Sequence, residues 1–298
     1  MAVSRVSMSK EGPLVSRLAQ GWASAVRRGL TVAEATRHVH ACLEVGITTM
    51  DNAAIYGGGQ GETLLGEALA AEPGLRDRVE IVTKCSVGSW GTSLYHYDTS
   101  REHILSSVEH SLQELRTERI DLLLIHRPDP LMDADEVAEA FDRLYAAGKV
   151  LHFGVSNFTP WQFTLLASRM PRPLVTNEVQ ISVLDNHTML DGTLDQCQQL
   201  RIRPMAWSPL GGGRLFTGDT PQAERLRTEL GAIGEALGGY SVDQVALAWL
   251  LQHPAGILPI LGTFNAQRLA AAAVAEGLAL TREQWFRIWV AGTGERLP

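Results

Sequence analysis

The chain has 298 residues, of which 45% are apolar and 20% are charged, and its formal net charge is −7 at pH 7. The apolar content excludes an intrinsically disordered chain, and the acidic balance disfavours a protein that binds nucleic acid through the phosphate backbone. Because no run of 18 apolar residues is present, we also expect no segment that spans a membrane.

The sequence indicates neither metal binding nor secretion. The cysteines, Cys42, Cys85 and Cys197, are too few for a disulfide framework and are not spaced as metal ligands, and the histidines form no H-E-x-x-H motif. Residues 1–13 lack the basic start, apolar stretch and small-residue cleavage site of a secretory signal. We therefore expect a cytoplasmic protein with reduced cysteines and no bound metal.

Short apolar or β-branched runs alternate with longer helical patterns along nearly the whole chain. Several runs are almost continuously apolar, as in residues 120–125, which is typical of parallel strands that helices cover on both faces. The predicted strands are residues 18–22, 47–51, 79–84, 120–126, 150–156, 174–179, 203–207 and 256–261.

Helical patterns separate these strands. The first begins at Thr31, where Glu34 three residues later predicts a capping box, and it ends before Gly46. Seven helices are predicted to follow the strands, over residues 31–45, 61–71, 100–117, 133–147, 159–168, 188–200 and 265–276. Two more, at residues 223–237 and 241–252, lie between the last two strands, and one at residues 281–290 comes last.

Eight strands that alternate with helices predict a (β/α)8 TIM barrel with extra helices near the C-terminus, formed as a single domain over residues 1–298. A doubly wound open sheet is the alternative. Such a sheet places its cofactor on a glycine-rich turn after the first strand, and residues 21–25 contain no such fingerprint. The pattern therefore favours the barrel.

Polar side chains stand at the carboxyl ends of the predicted strands, where the active sites of such barrels lie. Asp51, Lys84 and His126 end the second, third and fourth strands, and Tyr56 lies in the loop after the second. Each type alone has an ordinary explanation: a turn cap, an ion pair, a core histidine or a loop aromatic. Four of them at adjacent strand ends favour an active site.

Together these side chains suit the protonation of a carbonyl oxygen. A phenol has a pKa of about 10 in water, too high for efficient proton transfer near neutrality, and a neighbouring ammonium lowers that pKa. We expect Lys84 to lower the pKa of Tyr56 and Asp51 to keep the ammonium charged. His126 would donate a hydrogen bond to the carbonyl oxygen while a hydride reaches the carbon.

Several motifs, in this order and spacing, resemble the aldo-keto reductase family along nearly the whole chain. They include GITTMDNAAIYG at residues 46–57, ETLLGEAL at 62–69, DLLLIH at 121–126, FGVSNF at 153–158, WSPLGGG at 207–213 and PILGT at 259–263. The resemblance implies a catalytic tetrad of Asp51, Tyr56, Lys84 and His126, with Tyr56 as the proton donor. It also implies NADPH bound across the barrel mouth and the reduction of aldehydes or ketones to alcohols.

The resemblance also assigns residues to the cofactor. Those implied at the nicotinamide are Ser156, Asn157 and Glu178 for the carboxamide and Trp207 for the ring. Those implied around the pyrophosphate are Ser208, Leu210, Gly211 and Gly213, and those at the adenine end are Thr263, Asn265 and Arg268. Arg268, beside the 2′-phosphate, and Thr263 predict NADPH, with NADH as the less favoured cofactor.

Three departures from the family pattern concern this cofactor. Gly262 replaces a phosphate-binding lysine of many members, and Ala271 and Ala272 replace a Glu-Asn pair that binds adenine. Glu178 stands where the family has a glutamine for the carboxamide, and Gln180 follows on the same face of the strand. An ionised glutamate accepts a hydrogen bond from the carboxamide nitrogen but cannot donate one to its oxygen.

Three residues are candidate substrate contacts: Trp22, Trp90 and Arg127. Trp90 belongs to a long aromatic loop, residues 86–99, which either forms a wall of the substrate pocket or packs against the outer helices. Arg127 either meets an anionic substrate or pairs with Asp129 or Asp133. The sequence leaves the substrate itself and the oligomeric state open.

Two other functions compete with carbonyl reduction. A lysine at the end of a barrel strand is also the nucleophile of Schiff-base aldolases, so Lys84 allows that chemistry. A protein that binds nicotinamide cofactor as a redox sensor for a partner is the second alternative.

Overall fold

Eight parallel strands close into a barrel in the computed structural model, which describes residues 2–88 and 94–296. The described strands are β1 (Arg5–Ser7), β2 (Leu14–Ser16), β3 (Ala19–Gly21), β4 (Thr49–Asp51), β5 (Glu80–Cys85), β6 (Val87–Gly88), β7 (His96–Tyr97), β8 (Ile120–Ile125), β9 (Val150–Ser156), β10 (Leu174–Gln180), β11 (Met205–Trp207) and β12 (Leu258–Leu261). The barrel runs in the order β3, β4, β5, β8, β9, β10, β11, β12, and β12 pairs with β3. The predicted (β/α)8 barrel is confirmed.

The helices surround this barrel. Those described are α1 (Val32–Glu44), α2 (Gln60–Ala70), α3 (Arg101–Glu114), α4 (Ala134–Ala146), α5 (Pro160–Ala167), α6 (Thr193–Leu200), α7 (Arg214–Thr217), α8 (Pro221–Ala236), α9 (Val242–Leu251), α10 (Ala266–Val274) and α11 (Arg282–Thr293). The extra helices predicted near the C-terminus are α8, α9 and α11. The sequence did not indicate α7. The prediction for α6 began too early, because Gly192 before it has φ 88° and residues 187–189 form a separate 3₁₀ turn.

Local sequence explains where these elements begin and which way their side chains point. The predicted capping box at the start of α1 is present, since Thr31 accepts from the Glu34 amide and Glu34 accepts from the Thr31 amide. Along β8, Leu122 and Leu124 pack in the barrel interior, whereas Leu123 and Ile125 pack against the helices. A strand that must bury both faces therefore reads as a continuous apolar run.

An antiparallel hairpin of β1 and β2 precedes the barrel and was not predicted. Its turn brings Met8 into the interior cluster, where it is fully buried beside residues of the barrel strands. Arg17, 9% exposed, follows the hairpin and donates hydrogen bonds to the carbonyl oxygens of Gly256, Ile257 and Leu251. These contacts pack against the amino end of the barrel, whereas the active-site cavity described below lies at the carboxyl ends of the strands.

Three further observations concern membrane-spanning helices, metal ligands and cysteines. Within residues 2–88 and 94–296, no helix has the length and apolar character needed to cross a membrane. The same part of the chain holds no cluster of three or more His, Cys, Asp or Glu side chains arranged for a metal ion. Each cysteine is buried and unpaired with another cysteine.

Candidate active site

The ends of three neighbouring strands bring the four predicted catalytic side chains together. Asp51 is the last residue of β4, Lys84 is the last but one of β5, and His126 follows β8. The ammonium of Lys84 lies 2.6 Å from Asp51 Oδ1 and 5.3 Å from the centre of the Tyr56 ring. The Tyr56 and His126 rings meet edge to face, 5.9 Å apart. The barrel register therefore builds one cluster from residues that are distant in sequence.

The loop after β4 is shaped to place Tyr56 over this cluster. Asn52, fully buried, donates to the carbonyl of Gly61 at 2.8 Å, which closes the loop on itself. Gly57 has φ 63°, and a Cβ at this position would come within 2.8 Å of the Val26 side chain. A larger residue at position 57 would therefore be strained in its backbone and also collide with its neighbour.

Lys84 is enclosed by oxygen atoms. It donates to Asp51 Oδ1 at 2.6 Å and to the carbonyl of Asn52 at 2.9 Å, and Glu178 Oε2 lies 3.2 Å from it. Burial by itself lowers the pKa of Lys84, but the two carboxyls outweigh burial and raise that pKa above its usual range. The side chain is therefore an ammonium at neutral pH, as predicted. The contact with Glu178 was missed, because nothing in the sequence indicates a second carboxyl beside this lysine.

The pKa of the Tyr56 phenol is raised, contrary to the prediction from the sequence. Lys84 lowers it, as predicted, but burial has the larger effect, and Asp51 and Glu178 also act upward. The net pKa is therefore raised above its usual value rather than lowered. The physical reason is that a phenolate in this buried site gives up its hydration and faces two carboxyls as well as one ammonium.

His126 is neutral at physiological pH. Burial, followed by the charges of Lys84 and Arg127, lowers the pKa of His126 to about 3. A neutral imidazole keeps one N–H donor and one bare nitrogen. The side chain can therefore donate a hydrogen bond to a carbonyl oxygen without carrying a charge.

A cavity of about 800 Å³ lies over this cluster. Its inner wall includes Asp51, Tyr56 and His126, and Lys84 lies behind them. The other predicted site residues in its lining are Ser156, Asn157, Glu178, Trp207, Ser208, Leu210, Gly213, Thr263, Arg268 and Arg127. Most of the predicted site residues therefore line one cavity.

Trp207 is fixed to the cavity wall by a chain of hydrogen bonds. Its indole Nε1 donates to Asn157 Oδ1 at 3.0 Å, and Asn157 Nδ2 donates to Ser156 Oγ at 2.7 Å. Ser156 Oγ in turn donates to the backbone carbonyl of Glu178 at 2.9 Å. Three strands, β9, β10 and β11, are thus joined at this wall, and the indole face is held in one orientation.

Arg127 packs on Trp207 and forms no ion pair with the residues that the structure describes. Its guanidinium lies 5.6 Å from the centre of the indole. Asp129 is engaged by the amide and hydroxyl of Thr99, and Asp133 caps α4, so neither is its partner. The ion-pair interpretation is therefore wrong, and the guanidinium remains available at the cavity.

Besides Lys84, three of the predicted site residues that the structure describes lie outside the cavity lining. Trp22 is fully buried and packs edge-on against His38 and Phe264, so the prediction of a substrate contact is wrong for this residue. Gly211 is buried against Leu184, and the side chain of Asn265 accepts from the Arg268 amide as the N-cap of α10. Trp90 lies outside the described residues.

The outer end of the cavity carries three arginines, of which the sequence analysis found only Arg268. Arg27 and Arg28, from the loop after β3, line the same end. Arg28 donates to Ser24 Oγ at 3.1 Å and lies 6.0 Å from the centre of the Phe264 ring. Within the described ranges none of the three forms an ion pair. Two consecutive basic residues after the first barrel strand were the signal that was overlooked.

Comparisons with known proteins agree along nearly the whole chain. The model of the Aldo/keto reductase family matches residues 17–289. Oxidoreductase YdhF of Escherichia coli is 50% identical over 299 residues, which cover 99% of this chain and 100% of that protein. A 6-dehydroglucose reductase of Agrobacterium fabrum is 45% identical over 301 residues, which cover 99% and 100%. The crystal structure of a thermostable aldo-keto reductase with the inhibitor epalrestat has a TM-score of 0.82 at 26% identity, covering 97% of this chain and 100% of that one.

Proposed function

The chain belongs to the aldo/keto reductase family, and on this premise we propose that it is an NADPH-dependent reductase of aldehydes or ketones. The observation that carries the proposal is the contact between Tyr56, Lys84, Asp51 and His126 at the inner wall of one cavity. When bound, NADPH supplies a hydride from its nicotinamide to the carbonyl carbon. The protein supplies the proton, the orientation of the substrate and the binding site.

In the proposed reaction Tyr56 gives its hydroxyl proton to the carbonyl oxygen. The phenolate that remains is stabilised by Lys84, which two carboxyls keep charged. His126 is neutral and donates a hydrogen bond to the same oxygen, which fixes the carbonyl next to the tyrosine. The raised pKa of Tyr56 keeps the phenol protonated but makes it a weaker acid, so transfer of its proton depends on the charge of Lys84 beside the phenolate that forms.

The lining of the cavity fits a nicotinamide dinucleotide from end to end. Ser156, Asn157 and Glu178 present hydrogen-bonding groups at the inner wall, and Trp207 offers a fixed flat face to the ring. Ser208, Leu210 and Gly213 would surround the pyrophosphate, and a Cβ at Gly213 would meet nothing within 4 Å. At the outer end Thr263 and Arg268 would hold the 2′-phosphate, a role in which a guanidinium favours NADPH over NADH. The location of Gly211 and Asn265 outside the lining leaves them as weaker candidates.

We propose a small-molecule carbonyl compound as the substrate. Because a relative with 45% identity is a 6-dehydroglucose reductase, 6-dehydroglucose belongs in the first screen, together with simple aldehydes and ketones. Arg127 lines the cavity without an ion-pair partner among the described residues and would favour anionic substrates. The single domain over residues 1–298 and the cytoplasmic location stay predictions.

The first experiment is a titration of the protein with NADPH and, in parallel, NADH, followed by quenching of tryptophan fluorescence. We expect NADPH to bind more tightly, and turnover of at least one carbonyl compound in the screen. Comparable binding of both cofactors would contradict the 2′-phosphate assignment alone. The absence of binding of either would contradict the proposed function.

The Tyr56→Phe variant tests the proton donor. We expect turnover to fall by about 10²–10⁴-fold, the usual contribution of a positioned acid, with the Kd for NADPH within about twofold of wild type. Tyr145→Phe is the matched control, since Tyr145 lies on α4 beneath Arg172 and does not line the cavity. Near-normal turnover in Tyr56→Phe would contradict the assignment.

The same measurements separate the competing functions. A Schiff-base nucleophile must be an unprotonated amine, and the carboxyls around Lys84 hold it in the charged form, so the structure disfavours that alternative. Borohydride trapping of a carbonyl compound on Lys84 would revive it. Tight retention of NADPH with no turnover of any carbonyl compound would instead favour the redox-sensor alternative.

A further inference from the structure

Helices α9 and α10 carry the residues of one wall at the outer end of the cavity. Asp243 and Leu247 are four residues apart on α9 and therefore lie on the same face of that helix. Arg268 and Ala272 have the same spacing on α10. All four line the cavity, so each helix places one charged and one apolar side chain at this wall.

The two helices are tied together next to these faces. Gln244 Nε2, in the first turn of α9, donates to the backbone carbonyl of Ala271 on α10 at 3.0 Å. Leu247 and Ala272 belong to one buried apolar cluster and are 0% and 4% exposed. The base of this wall is therefore apolar, and its hydrogen-bonding side chains belong to the two charged residues.

Asp243 is half-buried, and its carboxylate has no partner among the described residues. It forms no ion pair within residues 2–88 and 94–296, although Arg27, Arg28 and Arg268 line the same end of the cavity. It is also the one acidic side chain of the described lining that lies away from the catalytic cluster. A carboxylate only accepts hydrogen bonds, so this group suits a ligand that brings an N–H or O–H donor.

The other polar side chains at this end are donors or already accept from a donor. Guanidinium groups donate hydrogen bonds and cannot accept them. Ser24 Oγ accepts from Arg28 at 3.1 Å, and Thr263 Oγ1 accepts from the Asn265 amide at 3.2 Å. Asp243 is therefore the free side-chain acceptor at the outer end of the described cavity.

We propose that Asp243 accepts a hydrogen bond from the 6-amino group of adenine and thereby selects a cofactor with a 6-aminopurine base. The proposal rests on the proposed function, in which Thr263 and Arg268 hold the 2′-phosphate. That phosphate and the base are attached to neighbouring carbons of one ribose, so the base lies at the same end of the cavity. The amino group is the N–H donor of adenine, whereas the free ring nitrogens are acceptors, so a carboxylate matches the amino group alone.

The binding test compares NADPH with its hypoxanthine analogue, deamino-NADPH, in which an oxygen replaces the 6-amino group. Both Kd values are measured by quenching of tryptophan fluorescence. We expect the wild type to bind NADPH at least about tenfold more tightly, because the analogue loses the hydrogen bond and places a carbonyl oxygen opposite the carboxylate. The nicotinamide, the pyrophosphate and the 2′-phosphate are the same in both compounds, so the ratio of the two Kd values reports on the base.

Asp243→Asn should remove this selectivity. An asparagine amide both accepts and donates, so it can serve an amino group or a carbonyl oxygen. We expect the two Kd values of this variant to lie within about twofold of each other, and deamino-NADPH to bind about three- to tenfold more tightly than it does to wild type. Tighter binding of the analogue is not a result that a damaged fold can produce.

Asp195→Asn is the matched control, since Asp195 is an exposed aspartate in the first turn of α6 and lies outside the cavity lining. An acid in the first turn of a helix also interacts favourably with the helix dipole. The control removes such an interaction without changing the cavity. We expect it to keep the wild-type ratio of the two Kd values.

Equal Kd values for NADPH and deamino-NADPH in wild type would overturn the proposal, and this result does not require any variant to fold. A wild-type ratio that persists in Asp243→Asn would overturn it as well, because the selectivity would then come from another group. Failure of the wild type to bind either compound would instead contradict the proposed function.

Discussion

Two buried cations lie at opposite ends of the barrel, and their partners differ in kind. At the amino end, Arg17 donates to three backbone carbonyls, and burial, followed by the nearby Arg203, lowers the pKa of Arg17 to about 10. At the carboxyl end, Lys84 lies between the carboxyls of Asp51 and Glu178, and its pKa is raised. Both side chains are charged at neutral pH.

The difference separates a structural site from a reactive one. Carbonyl dipoles hold a cation in place but cannot gain or lose a proton, so Arg17 fixes the closed end of the barrel and nothing there changes during a reaction. Carboxyls and a phenol can exchange protons, and the ammonium between them changes the stability of each charged form. A buried cation with titratable partners is therefore the sign of the functional end.

Lys84→Met is expected to have the largest effect. Removal of the ammonium eliminates the charge that stabilises the Tyr56 phenolate, so kcat/KM should fall by about 10³-fold or more. Two carboxyls also lose their partner, which costs roughly 3–5 kcal/mol of unfolding free energy for a broken buried pair. Steady-state kinetics and urea unfolding measure the two losses.

The pH dependence of this variant has a definite sign. Without Lys84, burial raises the folded-state pKa of Asp51 further above its unfolded value. Stability is then retained below the unfolded pKa and lost as pH rises through the folded one, so Lys84→Met should be less stable at pH 8 than at pH 5. Lys149→Met, which removes a surface ion pair with Glu109, should change the unfolding free energy by less than about 1 kcal/mol. If Lys84→Met and Lys149→Met lowered the unfolding free energy equally, the buried ion pair of Lys84 would contribute no more to stability than a surface ion pair does.

Arg17→Met should lower the unfolding free energy but leave turnover unchanged. The substitution leaves the carbonyls of Gly256, Ile257 and Leu251 without their donor, and the expected loss of unfolding free energy is roughly 2–4 kcal/mol. The active cluster lies at the other end, so kcat/KM per folded molecule should stay within about twofold of wild type. A large loss of turnover at normal stability would abolish the distinction between the two ends.

The sequence was sufficient to predict the barrel fold, because the barrel strands bury both of their faces and are therefore almost continuously apolar. Runs such as residues 120–125 alternate between interior and helix-facing contacts and are apolar at every position except Asp121, and this signal is strong. The hairpin of β1 and β2 and the one-turn helix α7 were missed, because they are short and also lie outside the strand–helix alternation that located the equally short β3, β4 and β11. The contacts of the N-terminal turn with the barrel interior, through Met8, are tertiary and leave no local pattern.

The prediction of the site was limited in the same way, because contacts between side chains that are distant in sequence leave no local pattern. Asp51, Lys84 and His126 were predictable because the carboxyl ends of barrel strands always converge. Trp22 was misassigned on that rule, since side chains just beyond a strand can face the helices, as this one does toward His38. The contact of Glu178 with Lys84 depends on a three-dimensional distance of 3.2 Å, which no spacing along the chain encodes.

Arg268→Ala extends the comparison to a cation at the surface. Arg268 is exposed at the outer end of the cavity, where water and salt screen its charge. The Kd for NADPH should rise by about tenfold at low ionic strength and by less in 0.5 M salt, while the Kd for NADH stays within about twofold. Arg282→Ala, another exposed arginine, on α11 and outside the cavity lining, is the control. A parallel loss of NADH affinity would contradict a role at the 2′-phosphate.

Gly262→Lys is expected to give the smallest change, and in the opposite direction. A Cβ at Gly262 would meet no atom within 4 Å, so a side chain is accommodated without moving a neighbour. The new ammonium joins Arg27, Arg28 and Arg268 at the outer end and should lower the Kd for NADPH by about two- to fivefold at low salt, with NADH unchanged. Gly262→Ala separates the effect of the backbone from that of the charge. If the lysine variant binds NADPH no better than the alanine variant at low salt, the phosphate does not lie at this end of the cavity, and the exposed arginines there have another purpose.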